Sequence, residues 1–479
     1  MFITLKSTLP KDEDMPERAF ELTALEAVLN GTLYDHLPNA FHDENNRSGE
    51  YIPIRQRRPS VKYALCRIVV DESVAMLFSE GHFPDIDCAD EATRDALQAI
   101  IKTSKLNEAM IHAATVGSIG SVAILMRVLS KRLFFDVMRT ATLTPEWNPE
   151  EPDKLLRVTE KYKVDPAVLI ESGYSVDETD GPHWFQRVWD GDAETWFLPW
   201  PVKADNPVIS VDIERTVTHN LGFVPIVWIK NLPGGNGIDG ACTFRAAIDT
   251  SIEIDYQLSQ AGRGLKYSSD PTLLIKEPAL GQNGEIIKGA GNALIVAADG
   301  DARMLEINGT AAQAVMDYVR MLRELAIESI HGNRSNADKI SSAQSGRAME
   351  LLNQSLIRLA DKLRISYGEG ALLDLLKMIV SASEKTPITI DGKRITLSPE
   401  PISLRWPAWY APTSSDMTSV VNAVKTAKDG GIISQETAVK QVADAYDIED
   451  TAAEIKLIKA EQAEQAALLA ETAQVTINE

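Results

Sequence analysis

Cysteine is scarce in this chain: three residues, Cys66, Cys88 and Cys242, among 479. They stand far apart, form no C-x-x-C and have no histidine pair beside them, which excludes a disulfide framework and a structural zinc site. The role expected of them is that of buried small hydrophobes. Long apolar runs are missing too. No stretch of about 18 apolar residues occurs, so no membrane-spanning helix is expected. The opening "MFITLKSTLPKDEDMPERAF" has a few apolar residues before Lys6 and then an acidic cluster. That pattern fits neither a signal peptide nor a transit peptide, and cytosolic synthesis is expected. Positive charge is in deficit, with 48 Lys and Arg against 69 Asp and Glu and a net charge of −21. A field of that sign repels phosphate, so general nucleic-acid binding is excluded and any DNA contact must be local.

Catalytic signatures are equally absent. There is no H-E-x-x-H, G-x-S-x-G, Walker A or EF-hand spacing. "GGNGIDG", Gly234 to Gly240, lacks the G-K-[ST] ending that sets a lysine on phosphates and reads as a flexible hinge. "DIDCADE", Asp85 to Glu91, lacks the central glycine of a calcium loop and reads as a helix start. The seven histidines are scattered. Trp184, Trp189, Trp196 and Trp200 suit a sheet core or an interface better than a ligand cage. No metal site, no cofactor and no enzymatic activity are expected.

What the chain does have is 44% hydrophobic and 24% charged residues, which fits a soluble globular protein of two to four domains. The fold class expected is α+β, mainly helical. Apolar spacing predicts a helix from Pro16 to Leu29 stopped by Asn30-Gly31, and a second within "SVKYALCRIVVDESVAMLFSEG", capped by Ser60 and stopped by Gly81. A third, capped by Asp90, should break near Thr103-Ser104. "SVAILMRVLSKRLFFDVM" reads as sheet, and residues 155–230 are mostly β. There Asp190-Gly191 marks a hairpin and Pro225 confines its strand to an edge or an end.

Beyond residue 236 the pattern becomes helix, small β module, helix. Asp239 is placed to cap the first helix, and Asp249 and Glu253 lie four residues apart on it, a like-charge pair. This is either an ordinary solvated face or one lining an acidic channel or meeting a neighbour. The second helix starts at Thr310, with Tyr318, Met321, Leu322 and Leu325 among its apolar positions. A third, long helix carries Gly368 and Gly370, which should kink or loosen it. The C-terminal part is helical, with Ser434 and Asp450 at helix starts.

Between the second and third of these helices lies "HGNRSNADKISSAQSG", residues 331–346, sixteen polar, turn-prone residues where helix connections usually take about two to eight. Gly332, Asn333, Asn336, Ser341 and Ser342 tolerate turns and cannot build a core. Arg334 and Lys339 stand against Asp338. The segment is either an idle linker or a working loop.

This order of elements resembles the tailed-bacteriophage portal proteins, nearest to the SPP1 type. "VVDESVAMLFSEG", "AATVGSIGSVAI", "THNLGFVPIVWIKN" and "AKDGGIISQETAVKQVADAYDIEDTAAEIKLIKAEQ" carry the local likeness. The resemblance implies a wing at 1–235 and 347–411, stem helices at 236–262 and 310–330 bracketing a small β clip at 263–309, a tunnel loop at 331–346, and a helical crown at 412–479. It implies a homo-oligomeric ring, expected as a dodecamer, at one capsid vertex of a virion assembled in the host cytoplasm. Double-stranded DNA would be packaged and ejected through this ring. The other partners implied are the terminase packaging motor, the major capsid protein and scaffold, and the head-tail connector, with no membrane partner. Asn333, Arg334, Asn336, Lys339, Ser341, Ser342 and Gln344 would touch DNA without reading its sequence, and Asp249 and Glu253 would line the channel. Sparse cations in an acidic wall suit a duplex that slides, since many phosphate contacts would hold it. A capsid or baseplate protein without a channel, and an unrecognised DNA-processing enzyme, stay open as alternatives.

Overall fold

Helical periodicity near the start of the chain closes into α1 (Phe2–Lys6) and α2 (Glu17–Leu29). Phe20, Leu22, Leu25 and Leu29 of α2 are buried, and Gly31, at φ +71°, turns the chain away just beyond its end. In this computed structural model the described residues are 1–129, 131–204, 207–269, 272–280, 284, 286, 295–305, 310–330, 350–351, 353–390, 392–410, 414–443, 446, 448 and 451–477. They form two units, Met1–Arg334 with Arg358–Pro407, and Ser335–Ile357 with Ala408–Glu479.

In the first unit, β1 (Asn39–Ala40) and β2 (Arg57–Arg58) form a short parallel pair ahead of α3 (Leu65–Phe78). The ends of α3 depart from expectation. Ser60 does not cap it, because Val61 N–H donates to Ser259 Oγ at 3.0 Å and Tyr63 N–H to Asp255 Oδ1 at 2.7 Å. Those bonds keep the strand-like approach outside the helix, which begins only after Ala64 at φ +53°. Extended Ser79, rather than Gly81, ends it. After β3 (Asp85–Cys88), Asp90 Oδ2 accepts from Thr93 N–H at 3.1 Å and opens α4 (Glu91–Thr103), as the sequence predicts. Ser104 and left-handed Lys105 separate it from α5 (Leu106–Gly117).

β4 (Ser121–Leu129) and β5 (Arg132–Arg139) pair antiparallel. β6 (Leu143–Trp147) and β7 (Leu155–Val164) follow, then α6 (Pro166–Glu171), β8 (His183–Trp189), β9 (Ala193–Trp196), β10 (Trp200–Pro201) and β11 (Val217–Thr218). These strands form a sheet in the order β11-β9-β8-β7-β6, with β10 also on β8. The expected hairpin is present, and since Trp189 pairs with Glu194 its turn is Asp190 to Ala193. Asp190 Oδ1 holds that turn by accepting from the Asp192 and Ala193 N–H groups at 2.8 and 2.9 Å. β12 (Ile226–Lys230) starts after Pro225 and is an edge strand beside β4, where a proline is tolerated.

β4 is buried on both faces, which explains its unbroken apolar run. Val122, Ile124 and Met126 enter the main core with α2, α3, α5 and the helix Leu373–Lys385. Ala123 and Leu125 enter a smaller core with Leu143, Val158, Trp189 and Ile226.

The glycine-rich segment before the next helix is tied down rather than left as an open hinge. Leu232 and Ala241 form a β-bridge, and Asn236 Oδ1 accepts from the Ile238 and Asp239 N–H groups. Asp239 does not cap a helix. Its carboxylate is committed to Arg18 and Ser121, a 3₁₀ turn, Arg245–Ala247, comes first, and α7 runs Ile248–Ser269. β13 (Thr272–Pro278) and β14 (Val296–Leu305) pair antiparallel, and α8 (Thr310–Ser329) returns to pack on α7 and on the 3₁₀ turn.

The long third helix comprises Gln354–Leu363, a π-helical stretch Arg364–Leu372, and Leu373–Lys385. Gly368 and Gly370 lie in the π stretch, a local loosening of the kind expected at these glycines. A Cβ on Gly368 would sit 2.1 Å from Cζ2 of Trp406, so the ring needs the glycine there. β15 (Ile388–Ile390) pairs with β16 (Lys393–Ile395), and β17 (Ile402–Arg405) with β3.

The second unit is described as helices. Ser414–Asp429, Gln435–Val442 and Thr451–Ile477 pack in succession, with Ser434 Oγ accepting from Thr437 N–H at 3.1 Å. Asp450, expected at a helix start, lies outside the described residues.

Candidate channel-lining and interface elements

The first half of α7 is embedded in the first unit. Ile248, Ile252, Ile254, Asp255, Tyr256 and Ser259 are all buried, and burial ends near Ala261. Beyond it Leu265 is 50% exposed. On α8 the buried residues gather toward its end, at Ala326, Ile327 and Ile330, while Met316, Tyr318, Met321 and Leu325 on its outer side are exposed. The two helices therefore leave the body together and carry the β13–β14 hairpin away from it.

Asp249 and Glu253, the two carboxylates singled out from the sequence, sit in the embedded half of α7. Asp249 is exposed, and its Oδ1 accepts from Phe2 N–H at 2.7 Å. That bond holds its carboxyl below the usual carboxylate range. Glu253 is half-buried and accepts from Gln257 Nε2 at 2.7 Å. The pair is thus split between two partners. The seven residues singled out in the polar loop, Asn333, Arg334, Asn336, Lys339, Ser341, Ser342 and Gln344, lie outside the described residues.

The structure brings forward two buried carboxylates whose partners the sequence does not reveal. Asp239 joins α2 to the glycine-rich loop. Arg18 Nε donates to its Oδ2 and Arg18 Nη2 to its Oδ1, both at 2.7 Å, and Ser121 Oγ donates at 2.5 Å. Arg18 Nη1 also donates to the carbonyls of Thr140 and Leu143. Burial pushes the Asp239 carboxyl up, but Arg18 and Ser121 outweigh it and hold the group low. Asp255, on α7, accepts from Tyr34 Oη–H at 2.8 Å and from Tyr63 N–H. Here burial wins and raises the carboxyl above its ordinary value, while the Tyr34 hydroxyl is pushed up by the same burial. Each network joins residues about two hundred positions apart, which no local spacing signals.

A groove of about 1110 Å³ lies among α2, α5, β4, β5, β7 and β8. Its charges are paired, Arg127 with Asp136 at 3.1 Å and Arg187 with Glu160 at 2.6 Å. Among the described residues no group of His, Cys, Asp and Glu could hold a metal ion, and no helix is long and apolar enough to cross a membrane.

Comparison with known proteins gives a family and a series of solved structures. A search of curated proteins returned no match. The chain is similar to one in the neck of an empty gene transfer agent particle, at 11% identity and a TM-score of 0.39, over 80% of this chain and 89% of that one. It is likewise similar to one in the virion of a native gene transfer agent particle, at 11% identity and a TM-score of 0.39, over 92% and 98% of the two chains. The family of phage portal proteins described as SPP1 Gp6-like matches residues 21–467. That match spans nearly the whole chain, and the protein belongs to the SPP1 Gp6-like family of phage portal proteins.

Proposed function

We propose that copies of this chain close into a homododecameric ring at one capsid vertex of a virion assembled in the host cytoplasm. The ring is the conduit through which double-stranded DNA is packaged and ejected. It is also the docking site for the terminase motor, the head-tail connector, and the capsid protein with its scaffold. The observation that carries this reading is the family match over residues 21–467. Two features of the chain support it. α7 and α8 leave the body with a β hairpin between their far ends, as a stem and clip would. The net charge of −21 suits a wall that repels a duplex and leaves it mobile.

In this reading residues 1–235 and 347–411 form the wing, 236–262 and 310–330 the stem, 263–309 the clip, and 412–479 the crown. Residues 331–346 form a tunnel loop, in which Asn333, Arg334, Asn336, Lys339, Ser341, Ser342 and Gln344 meet phosphates without reading bases. Asp249 and Glu253 belong to the acidic wall. No catalytic step is assigned to the chain.

End-on electron microscopy of the purified full-length protein tests the proposal. Closed rings with an open axial bore wide enough for a duplex are expected. A monomer at all concentrations, or an oligomer without a bore, would overturn it.

A further inference from the structure

The sheet that holds β7, β8 and β9 ends on one side in an open edge. Just past β9, Phe197 bridges to Val211, and two bonds frame the bridge: Leu198 N–H donates to the Ser210 carbonyl at 2.9 Å and Asp212 N–H to the Trp196 carbonyl at 2.8 Å. In an antiparallel ladder this frame makes Phe197 and Val211 a pair that exchanges no hydrogen bonds, so the N–H and C=O of Val211 face away from the sheet. Phe197 has the matching sense, because its own N–H donates at 3.2 Å to the Gln186 carbonyl of β8, on its other side. Among the described residues no group pairs with the Val211 N–H or C=O.

The side chains around that backbone are apolar. Val208 and Ile213 are 87% and 84% exposed, and Ile209 and Val211 are 52% and 43% exposed. No charged residue lies from Val208 to Val211. Native chains usually blunt such an edge with charge, proline or a bulge. A bulge is present, but only further along. From Val211 to Val217 the outer chain advances six residues while its neighbour covers three, from Phe197 to Glu194, and Thr216 N–H closes the excess by donating to the Asp212 carbonyl at 3.0 Å. Ile213 lies in that turn, and the stretch before it keeps its open edge.

We infer that this edge takes up an extended, uncharged, apolar segment of another protein as an added strand. The segment pairs its main chain with the Val211 N–H and C=O and lays its side chains against Val208, Ile209, Val211 and Ile213. Area argues for a single strand. Even when fully covered, four β-branched side chains fall short of the roughly 800 Å² per partner that a stable complex of globular surfaces buries. A second copy docked by these side chains alone would be held too weakly, whereas an added strand gains main-chain bonds that do not depend on area. The uncharged stretch gives a nucleic acid or an acidic peptide nothing to pair with. The inference does not rest on the ring reading.

Peptide binding and hydrogen exchange on the full-length protein test it. The probe is an end-capped hexapeptide of alternating valine and threonine. Its control is the same peptide N-methylated throughout, which keeps the side chains and loses every main-chain donor. By mass spectrometry the probe should slow exchange over residues 208–213 at least tenfold, and the control should not. Val211→Pro removes the outward N–H without touching the inner ladder, and it should bind the probe at least tenfold more weakly while melting like the wild type. Val208→Lys with Ile213→Lys leaves the backbone as it is and should weaken binding as much. A wild type that does not bind the probe, equal binding of probe and control, or full binding by either variant would overturn the inference. So would pairing of wild-type copies that Val211→Pro abolishes, since a second copy would then be the occupant.

Discussion

Arg18 and Asp239, 221 residues apart in the sequence, meet in a two-pronged ion pair with both N···O distances at 2.7 Å. The pair fastens α2 to the loop that precedes α7. Removing one member leaves a buried charge without its partner, which typically costs about 3 to 5 kcal/mol. Asp239→Ala should therefore lower stability by about that amount, read from denaturant unfolding at fixed protein concentration. A change under about 1 kcal/mol would contradict the role given to the pair.

Gly368 faces the indole of Trp406, and a methyl group placed there would overlap the ring. Gly368→Ala should cost about 1 to 3 kcal/mol and shift the emission of Trp406 as the ring is displaced. Gly370, whose nearest neighbour would be the Ile365 carbonyl at 3.3 Å, is the control. Gly370→Ala should be close to neutral, since relief of the helix penalty of about 1 kcal/mol offsets a tight contact.

Asp255 gives stability an unusual pH dependence. Its folded-state carboxyl titrates above the ordinary value of 3.8, so between that value and its raised one the native state holds a proton that the unfolded state has lost. Stability from this group is therefore full at low pH and falls as pH rises toward the raised value. Asp239 and Asp249, held low, act in the opposite sense, and their contribution is lost only as pH falls. Asp255→Asn should gain on the wild type as pH climbs above about 4, in paired melting curves across pH 4 to 8. A constant offset between the two proteins at every pH would refute this.

The loop proposal concerns Arg334 and Lys339. Neutralising both, as Arg334→Gln with Lys339→Gln, should leave rings intact and reduce the DNA packaged or retained per particle. Normal genome filling in that variant would remove the loop from the conduit.

The thiols of Cys66 and Cys242 are pushed up by burial to about 12. Near pH 8 almost no thiolate is present, and the native protein should react with maleimide far more slowly than the unfolded chain. Cys66 is buried and Cys242 half-buried, and rapid labelling of Cys66 in the folded protein would contradict its burial.

Much of the fold is written in local patterns. The Asp90 cap, the break at Ser104-Lys105 and the Asp190-Gly191 turn arise from interactions within a few residues, and such interactions are visible in sequence; at Gly368 the glycine is visible but the Trp406 ring that it makes room for is not. What was not legible rests on distant partners. Ser60 fails as a cap because Ser259 and Asp255 hold the two segments together, and Asp239 fails because Arg18 takes it. The exposure of Tyr318, Met321 and Leu325 was hidden for another reason: periodicity marks an apolar stripe but does not say whether its own chain covers it. The like-charge spacing of Asp249 and Glu253 could be read, but the Phe2 and Gln257 bonds that separate them could not.

The double burial of β4 reaches beyond packing. Because Val122, Ile124 and Met126 serve one interior and Ala123 and Leu125 the other, sliding the strand by a single position would exchange the two sets. The small methyl of Ala123 and the longer Ile124 could not trade places without a void on one side and a clash on the other. Alignment of the sheet is thereby enforced twice over, and the helices packed on it rest on a platform of fixed register.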